Sequence, residues 1–315
     1  MRSFLLTKKI WILGSSNIDC TYRMEQLPVK GTTVSADEIL VTTGGKGANQ
    51  AIAAAHWGAH VHFIGAVGDD DNGKHLLDSL ISHGVDTEHV SVIKGAASGQ
   101  AIILVDQKGD NFIVIHGGAN LKVPCTVPSA IDIGDGDVFV SQLETNLEAL
   151  AVYAAFARNE GALTILNPSP YQDLPASILA NIDLIVANEM EATQLGHAPV
   201  EDIHTAQSCS IAIQKKLGTK AVIITLGAKG AALVAEERSF HFPGYKVNAV
   251  DTQGAGDAFL GSLIAKLADK VPIEEAVAFA NWVAAQSVTR RGSTQHSLPD
   301  PASAANADLS RFVRL

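Results

Sequence analysis

The sequence has 315 residues, of which 47% are hydrophobic and 18% are charged, so the chain can bury a core as one large α/β domain or two smaller ones and is not a disordered protein. Its formal net charge is −10 and no run of Lys and Arg occurs, which excludes nucleic acid and anionic membrane surfaces as partners and favours a small molecule. The cysteines Cys20, Cys125 and Cys209 lack Cys-x-x-Cys spacing, so they predict neither a disulfide framework nor a zinc site and indicate a reducing cytoplasm.

The predicted elements alternate between strands and helices along the chain. The first residues, MRSFLLTKKIWILG, contain an apolar run broken by Thr7, Lys8 and Lys9 without a cleavage pattern behind it, and we interpret them as a tail that leads into the first strand. No segment reaches the roughly 20 apolar residues of a membrane span. Short apolar runs predict buried strands at 10–14, 61–67, 138–143, 163–168, 182–188 and 221–227. Helical patterns lie between them, at 48–59, 147–161 and 205–218 among others, and the last two end in Gly. This order predicts a mostly parallel central sheet with helices on both faces.

Two stretches interrupt the alternation. Residues 20–43 contain turn residues and short extended pieces, and residues 99–116 read as a hairpin around Lys108, Gly109 and Asp110. We expect them to form a small β-sheet lid over one edge of the α/β body. The alternative is that they are edge strands of the main sheet.

Standard phosphate-binding patterns are absent, but a Gly-rich helix start is present. The sequence has no P-loop, and no Gly-x-Gly-x-x-Gly follows the first strand. Instead, VDTQGAGDAF (250–259) leads into a helical pattern, and its glycines allow consecutive N–H groups of Gly254, Ala255 and Gly256 to form an anion-binding nest. Asp257 would then accept a proton from an attacking hydroxyl during phosphoryl transfer. The alternative role of Asp257 is to cap the helix.

A second Gly-rich helix start, TGGKGANQ (43–50), combines three glycines with Asn49. The stretch ILGSSNID places Asn17 and Asp19 just after the first strand. Carboxylates and amides bind neighbouring hydroxyl groups in pairs, so the two stretches together favour a polyhydroxylated ligand. Alone, GGKGAN is compatible with an ordinary tight turn.

These motifs resemble a known family. GGKGANQA, NEMEA (188–192), ITLGAKG (224–230) and DTQGAGDAF are similar, in order and over nearly the whole chain, to the signatures of the ribokinase-like (PfkB) carbohydrate kinases, and GGKGANQA with SNID resembles the ribokinase branch. The resemblance implies one ribokinase-like domain over 1–315, a three-layer α/β body with a β-sheet lid. It also implies ATP-dependent transfer of the γ-phosphoryl group to a primary hydroxyl of a pentose, with D-ribose as the leading acceptor, and the use of Mg²⁺. Another sugar, a nucleoside or a non-catalytic sugar-binding role are the alternatives.

The resemblance also implies roles for individual residues. Asp257 would be the general base, beside an anion hole of Gly254, Ala255 and Gly256. The sugar would contact Asn17, Asp19, Gly45, Lys46, Asn49 and Glu144. ATP would contact Asn188, Glu191, Thr225, Gly227, Gly230 and Asn281, with Glu191 also holding Mg²⁺ through water. A K⁺ site near the anion hole would use Asp251, Gln253, Ser287, Arg290 and Gly292, although His296 stands where a small hydroxyl residue would be a better ligand.

Several of these positions have simpler alternatives. Glu144 ends the strand-like run SQLE and would face the crevice at the carboxyl end of the sheet, but it could instead be an acid at the start of the next helix. Asn281 could be an ordinary helix-surface residue. Asp69, Asp70 and Asp71 are expected to begin a helix rather than bind a metal. His56 and His60 have the spacing of helical zinc ligands, but Gly58 interrupts the helix, so we do not expect a metal there. The apolar strands of the lid would be left exposed, which predicts a homodimer through the lid.

Overall fold

The computed structural model describes residues 8–292 and 294–315. In this part of the chain, every predicted strand is confirmed within a few residues of its expected bounds. The strands are β1 (Lys9–Leu13), β2 (Asn17–Arg23), β3 (Glu38–Gly44), β4 (His60–Gly68), β5 (Val90–Ile93), β6 (Gly99–Val105), β7 (Asn111–His116), β8 (Val138–Ser141), β9 (Leu163–Leu166), β10 (Leu184–Asn188), β11 (Ala221–Thr225), β12 (Gly230–Ala235), β13 (Arg238–Pro243) and β14 (Val313–Arg314).

The large sheet is mostly parallel, as predicted. Its strand order is β14-β13-β12-β11-β10-β9-β8-β1-β4-β5. All neighbours from β11 to β5 run parallel, and β12, β13 and β14 are added in antiparallel pairs at one side. The carboxyl ends of the parallel strands therefore meet at one edge of the sheet, where ligands bind in open α/β sheets.

Helices cover both faces of this sheet. They are α1 (Lys46–His56), α2 (Asp71–Ser82), α3 (Leu147–Asn159), α4 (Ala176–Leu179), α5 (Glu189–Gly196), α6 (Ile203–Leu217), α7 (Ala255–Ala268), α8 (Ile273–Ser287) and α9 (Thr294–Ser297). Because side chains alternate along a strand, Ile10 and Ile12 of β1 pack with α1, α7 and α8 on one face, and Trp11 and Leu13 pack with α3, α5 and α6 on the other. This three-layer arrangement confirms the predicted fold class.

Local signals at the helix ends behave as the sequence predicts. Asp70 caps α2 by accepting a hydrogen bond of 2.7 Å from the Gly73 backbone N–H, which confirms that this acidic run begins a helix. Gly218 ends α6 in the left-handed conformation, at φ 71°. No helix in residues 8–292 and 294–315 combines the length and apolar character that a membrane crossing requires.

The two interrupting stretches form a separate sheet with the order β3-β2-β6-β7, so the edge-strand alternative is wrong. We call these four strands the small sheet. Its first strand, β2, starts at Asn17, and only three residues separate it from Leu13, the last residue of β1. The small sheet therefore rises directly from the carboxyl end of the large sheet and brings Asn17 and Asp19 to that edge.

Candidate active site

The candidate site is a cleft of about 200 Å³ at the carboxyl edge of the large sheet. Strand β10 delivers Asn188 to it, β11 delivers Thr225, and the residue after β9 is Asn167. The start of α7 closes the opposite wall. The cleft is lined by Lys46, Asn167, Ser169, Val186, Ala187, Asn188, Glu191, Thr225, Thr252, Gly254, Ala255, Gly256, Asp257 and Leu260.

Asp257 lies in the first turn of α7, and its carboxylate contacts side chains of α1. The helix begins after Gly254, which adopts a left-handed φ of 75° and makes no side-chain cap. Asn49 Nδ2 donates a hydrogen bond to one carboxylate oxygen of Asp257 at 3.1 Å, and Gln50 Nε2 donates to the other at 2.9 Å. Both donors come from α1. The carboxylate is therefore fixed by the second Gly-rich helix and does not cap α7.

The backbone at this helix start can bind an anion. The first N–H groups of any α-helix have no partner within the helix, and Gly254, Ala255 and Gly256 line the wall of the cleft. The Ala255 N–H donates to the Thr252 carbonyl oxygen at 3.3 Å, a long hydrogen bond that it would exchange for an anion. Asp257 is 8% exposed and sits beside them. A phosphoryl group held by these N–H groups would thus lie next to a buried carboxylate.

Three carboxylates share this region, and burial raises the proton affinity of two of them. Burial raises the pKa of Asp257, while Lys46 and the amides of Gln50 and Asn49 act in the opposite direction. Burial, together with repulsion from Glu144 and Asp257, raises the pKa of Asp19 to about 7. A carboxylate with a raised pKa is a stronger proton acceptor than an exposed one.

Lys46 supplies the positive charge among these acids. Burial alone would lower the pKa of Lys46, but the carboxylates of Asp257, Glu144 and Glu191 outweigh it and raise the pKa. Its ammonium group therefore stays charged at neutral pH. Because it interacts with acids on both sides of the cleft, it lies between the predicted sugar and nucleotide regions.

Glu144 faces the site and not the helix that follows it. Its carboxylate accepts hydrogen bonds from the Ser15 hydroxyl and, at 3.1 Å, from the Lys46 backbone N–H. The cap of α3 is Asn146, which accepts from the Ala149 N–H at 2.6 Å. The alternative role of Glu144 as a helix-start acid is therefore wrong.

Close backbone packing positions the rest of the predicted sugar region. The Asn17 side-chain oxygen accepts from Asn120 Nδ2 at 2.8 Å, so its orientation is fixed. A Cβ atom on Gly44 would lie 2.1 Å from an Asp19 carboxylate oxygen, which shows that Asp19 folds back over β3. Gly45 has a φ of 91°, and a Cβ there would lie 2.8 Å from the Ser15 carbonyl oxygen. Only glycine fits this turn between β3 and α1.

The predicted nucleotide residues divide into two groups. Asn188, Glu191 and Thr225 line the cleft. Asn188 and Glu191 also form a capping box on α5, in which Glu191 N–H donates to Asn188 Oδ1 at 2.8 Å and Asn188 N–H donates to Glu191 Oε2 at 2.9 Å. This box holds both side chains at the mouth of β10.

Gly227, Gly230 and Asn281 are not part of the cleft lining. Gly227 is exposed in the turn after β11, and Gly230 begins β12 with a φ of 97°. Asn281 is 8% exposed, so the alternative of a helix-surface residue is wrong. Its Nδ2 donates to the Pro243 carbonyl at 3.0 Å, and it borders a separate hollow together with Tyr245 and Phe312.

The two loops predicted to bind K⁺, one with Asp251 and Gln253 and the other with Ser287, Arg290 and Gly292, lie side by side next to the start of α7. The Asp251 carboxylate accepts from the Gln253 N–H at 3.0 Å and from the Gly292 N–H at 3.1 Å, which joins the two loops. Ser287 and Arg290 are joined by a hydrogen bond of 3.1 Å from the Arg290 N–H to the Ser287 carbonyl. The Thr294 hydroxyl donates to the Gly254 carbonyl at 3.4 Å, so this segment contacts the anion-binding turn.

Sequence reasoning missed four amide side chains that organise the site: the buried Gln50, Gln142 and Asn120 and the half-buried Asn167. Gln50 contacts Asp257 and also donates to Asn167 Oδ1 at 3.3 Å, while Gln142 donates to the Gln50 side-chain oxygen. Asn120 fixes Asn17. The available signal for Gln50 was its place in the otherwise small and apolar run ANQAIAAA, where a buried amide must find partners.

The arrangement is chemically suited to phosphoryl transfer to a hydroxyl group. It combines an anion-binding turn, a buried carboxylate with raised proton affinity, a charged lysine and a polar wall of amides and acids. A carboxylate base has no purpose in a site that only binds a sugar.

Comparisons with known proteins agree with this geometry. The profile of the "pfkB family carbohydrate kinase" family matches residues 7–301. Ribokinase of Haemophilus influenzae is 36% identical over 93% of this chain and 96% of its own, and deoxyribokinase of Salmonella typhimurium is 35% identical over 92% and 95%. The solved structure of Arabidopsis thaliana ribokinase complexed with ribose and ATP superposes with a TM-score of 0.87 at 29% identity, covering 96% of this chain and 98% of that one. The chain belongs to the pfkB family of carbohydrate kinases.

Proposed function

We propose that this enzyme transfers the γ-phosphoryl group of ATP to the primary hydroxyl of D-ribose and releases ribose 5-phosphate and ADP. The observation that carries the proposal is the Asp257 carboxylate, which is buried, oriented by two amides of α1 and adjacent to the N–H groups that begin α7. The ribokinase relatives and the relative solved with ribose and ATP support ribose as the acceptor.

The sugar would lie between the small sheet and the start of α1. Asn17, Asp19, Asn49 and Glu144 offer amide and carboxylate groups to its secondary hydroxyls, and the glycines of the TGGKG turn let the ring approach the backbone. The primary hydroxyl would then point at Asp257. As the O–P bond forms, Asp257 accepts the hydroxyl proton, and its raised pKa favours that transfer.

The negative charge that develops on the transferred group needs donors already in place. The N–H groups of Gly254, Ala255 and Gly256 and the Lys46 ammonium would provide them, with the Ala255 N–H giving up its 3.3 Å hydrogen bond to the Thr252 carbonyl oxygen. Glu191 and Asn188 fit a hydrated Mg²⁺, because both line the cleft and magnesium often keeps several waters and few protein ligands. When bound with ATP, magnesium would neutralise charge on the phosphate oxygens.

A monovalent cation would support the anion-binding turn from behind. The loops that contain Asp251, Gln253, Ser287, Arg290 and Gly292 pack against the start of α7 and carry backbone carbonyls, which suit K⁺. A cation there would fix the turn that presents the N–H groups. We expect a higher kcat in KCl than in an equal concentration of tetramethylammonium chloride.

The test of the acceptor is ADP release from ATP and Mg²⁺ in KCl, with D-ribose, 2-deoxyribose, other pentoses, hexoses and nucleosides compared at equal concentration. Fast turnover on D-ribose with slower turnover on the rest is the expected result. The deoxyribokinase relative makes 2-deoxyribose the sharpest competitor, since the two sugars differ by one hydroxyl. Preferential turnover of 2-deoxyribose, or of any other acceptor, would contradict ribose as the substrate while leaving the kinase assignment intact.

The small sheet would also form a homodimer. Its outer strands expose apolar side chains, among them Ile39 at 60% and Val41 at 58% on β3, and Phe112 at 58% and Val114 at 61% on β7. Contiguous apolar surface of this kind marks interaction sites, and a second copy of the same sheet is a complementary partner for it.

A further inference from the structure

A cluster of metal-binding side chains lies at the opposite end of the sheet from the active site. His60 and His62 stand two residues apart at the start of β4, so they project from the same face of the strand. Asp86 lies beside them, in the segment between α2 and β5. One ligand atom from each of the three residues lies within 4.8 Å of the others, and among residues 8–292 and 294–315 this is the one such group of three.

The His62 imidazole points to a missing partner. The residue is 8% exposed, its Nε2 has no polar partner, and its Nδ1 makes no well-aligned hydrogen bond although it faces a carboxylate. Its Nδ1 lies 3.1 Å from an Asp86 carboxylate oxygen. A buried polar atom without a partner costs about 1–3 kcal/mol, so such atoms are rare unless a ligand satisfies them. The separation of 3.1 Å also matches two donor atoms bound to one ion, because zinc ligands at about 2.0–2.1 Å in a tetrahedron lie about 3.3 Å apart.

The three side chains are held in place by the fold. Asp86 forms an isolated parallel bridge with His62, in which the Phe63 N–H donates to the Asp86 carbonyl at 2.8 Å and the Asp86 N–H donates to the Val61 carbonyl at 2.9 Å. The other Asp86 carboxylate oxygen accepts from the Glu88 N–H at 2.8 Å. Metal-binding carboxylates are typically oriented by such outer hydrogen bonds.

Aromatic packing fixes the His62 ring as well. The Trp11 indole stacks on it with ring centroids 4.2 Å apart and an angle of 14° between the planes. The His89 ring packs nearby, with its centroid 6.2 Å from that of His62. The nearby cation, Lys9, is paired with Asp132 at 2.6 Å, and its charge is therefore balanced.

We propose that His60, His62 and Asp86 bind a divalent transition-metal ion of the zinc class. Two imidazoles and one carboxylate favour Zn²⁺, Co²⁺ or Ni²⁺ over Mg²⁺ and Ca²⁺, which prefer oxygen ligands. His60 is exposed, so the ion can enter from solvent.

The sequence suggested only His56 as a partner for His60, but His56 Nε2 lies 2.9 Å from the Pro299 carbonyl oxygen and belongs to another contact. The informative signal in the sequence is the spacing of His60 and His62, which places both side chains on one face of a strand.

The bound ion would link β4 to the segment before β5 and would not take part in phosphoryl transfer. The cluster lies at the amino end of β4, whereas the active site is at the carboxyl ends of the parallel strands. Metal binding to the folded state alone raises the free energy of unfolding by mass action. Zinc should therefore raise the melting temperature of the protein.

The test measures ZnCl₂ binding to the purified, metal-stripped full chain by isothermal titration calorimetry, together with the melting temperature. His60→Gln and Asp86→Asn should each weaken zinc binding by more than about tenfold, because even the loss of an outer-shell partner costs about 10–100-fold. Both should lose most of the zinc-dependent rise in melting temperature. His75→Gln, at an exposed histidine on α2, is the matched control and should bind zinc like the wild type.

Two results would overturn the proposal. One is a wild-type protein that binds zinc no more tightly than His60→Gln and Asp86→Asn do. The other is a loss of binding in His75→Gln equal to that in the cluster variants, which would indicate unspecific surface binding. His60 and Asp86 are both at least partly exposed, so their conservative replacement keeps the test valid even if a change at the buried His62 prevents folding.

Discussion

Two hydrogen bonds hold the Asp257 carboxylate, and a single substitution tests its role as the proton acceptor. Asp257→Asn keeps the shape of the side chain but removes the proton acceptor. We expect kcat to fall by about 10²–10⁴, the usual contribution of a general base, with the KM for the sugar nearly unchanged. Asp269→Asn, at the exposed residue that follows the same helix, is the matched control and should retain kcat. An unchanged kcat in Asp257→Asn would remove Asp257 from the mechanism.

The raised pKa of Asp19 lowers the free energy of unfolding at neutral pH. Its pKa is about 7 in the folded protein against an ordinary value of 3.8, so the folded state holds the proton more tightly than the unfolded state does. The difference in pKa does not affect the free energy of unfolding below about pH 4 and lowers it progressively between about pH 4 and pH 7. Above about pH 7 the loss of free energy stays constant.

Asp19→Asn removes this titration. The free energy of unfolding of the variant minus that of the wild type should be about 3 kcal/mol larger at pH 8 than at pH 5, because the wild-type penalty grows by about 1.4 kcal/mol for each of the two pH units between pH 5 and the folded pKa of about 7. Urea unfolding of both proteins at the two pH values measures this difference. A difference between variant and wild type that does not change with pH would show that Asp19 has an ordinary pKa. The KM for the sugar should rise in the variant at either pH.

At the scale of elements, the sequence predicted the strands and helices because their signals are local. The strand at 10–14, the cap at Asp70 and the end of α6 at Gly218 follow from periodicity, side-chain capping and the conformational freedom of glycine. The separate small sheet also followed from turn residues. Gln50, Gln142, Asn120 and Asn167 were not predicted, because the partners of an amide depend on which elements pack together and not on its neighbours in sequence.

Glu144 and Asn281 differ in how far a local sequence pattern predicts where their side chains lie. Glu144 ends the predicted strand run SQLE, and this local argument is sufficient to predict that its side chain lies at the crevice. The side chain of Asn281 binds the end of β13, a contact over 38 residues of sequence that no local pattern reveals. Positions defined by strand ends were thus predictable, whereas positions defined by packing between distant elements were not.

The contact between α1 and α7 is the element-level feature on which the site depends. A Cβ atom on Gly261 of α7 would lie 2.3 Å from Ala53 Cβ and 2.7 Å from the Gln50 carbonyl oxygen, both on α1. Gly261→Ala should push the helices apart, which separates Asp257 from the amides of α1. We expect a loss of about 1–3 kcal/mol in stability and a fall in kcat of up to about 100-fold.

Unfolding and steady-state kinetics of Gly261→Ala test this prediction. Gly134→Ala is the control, because no atom lies within 4 Å of a Cβ placed there. Wild-type kcat in Gly261→Ala would show that the spacing of the two helices does not set the position of Asp257.

At the scale of the whole molecule, we expect the exposed apolar strands of the small sheet to determine the oligomeric state. The wild type should have the mass of a dimer in light scattering at micromolar concentration. Val114→Asp, on β7, should shift it towards monomer, because a buried charge without a partner is strongly unfavourable. Val29→Asp, at a valine that is 69% exposed and outside the small sheet, is the control and should stay dimeric. A monomeric wild type would contradict this account of the small sheet.

The fold, the cleft and the family all indicate phosphoryl transfer to a primary hydroxyl. The most direct test is the phosphorus-31 NMR spectrum of the product formed from D-ribose, ATP and Mg²⁺. We predict a phosphomonoester signal that appears together with ADP and is split into a triplet by the methylene protons on C5. A doublet from phosphorylation at C1, or ATP left unchanged by ribose, would contradict it.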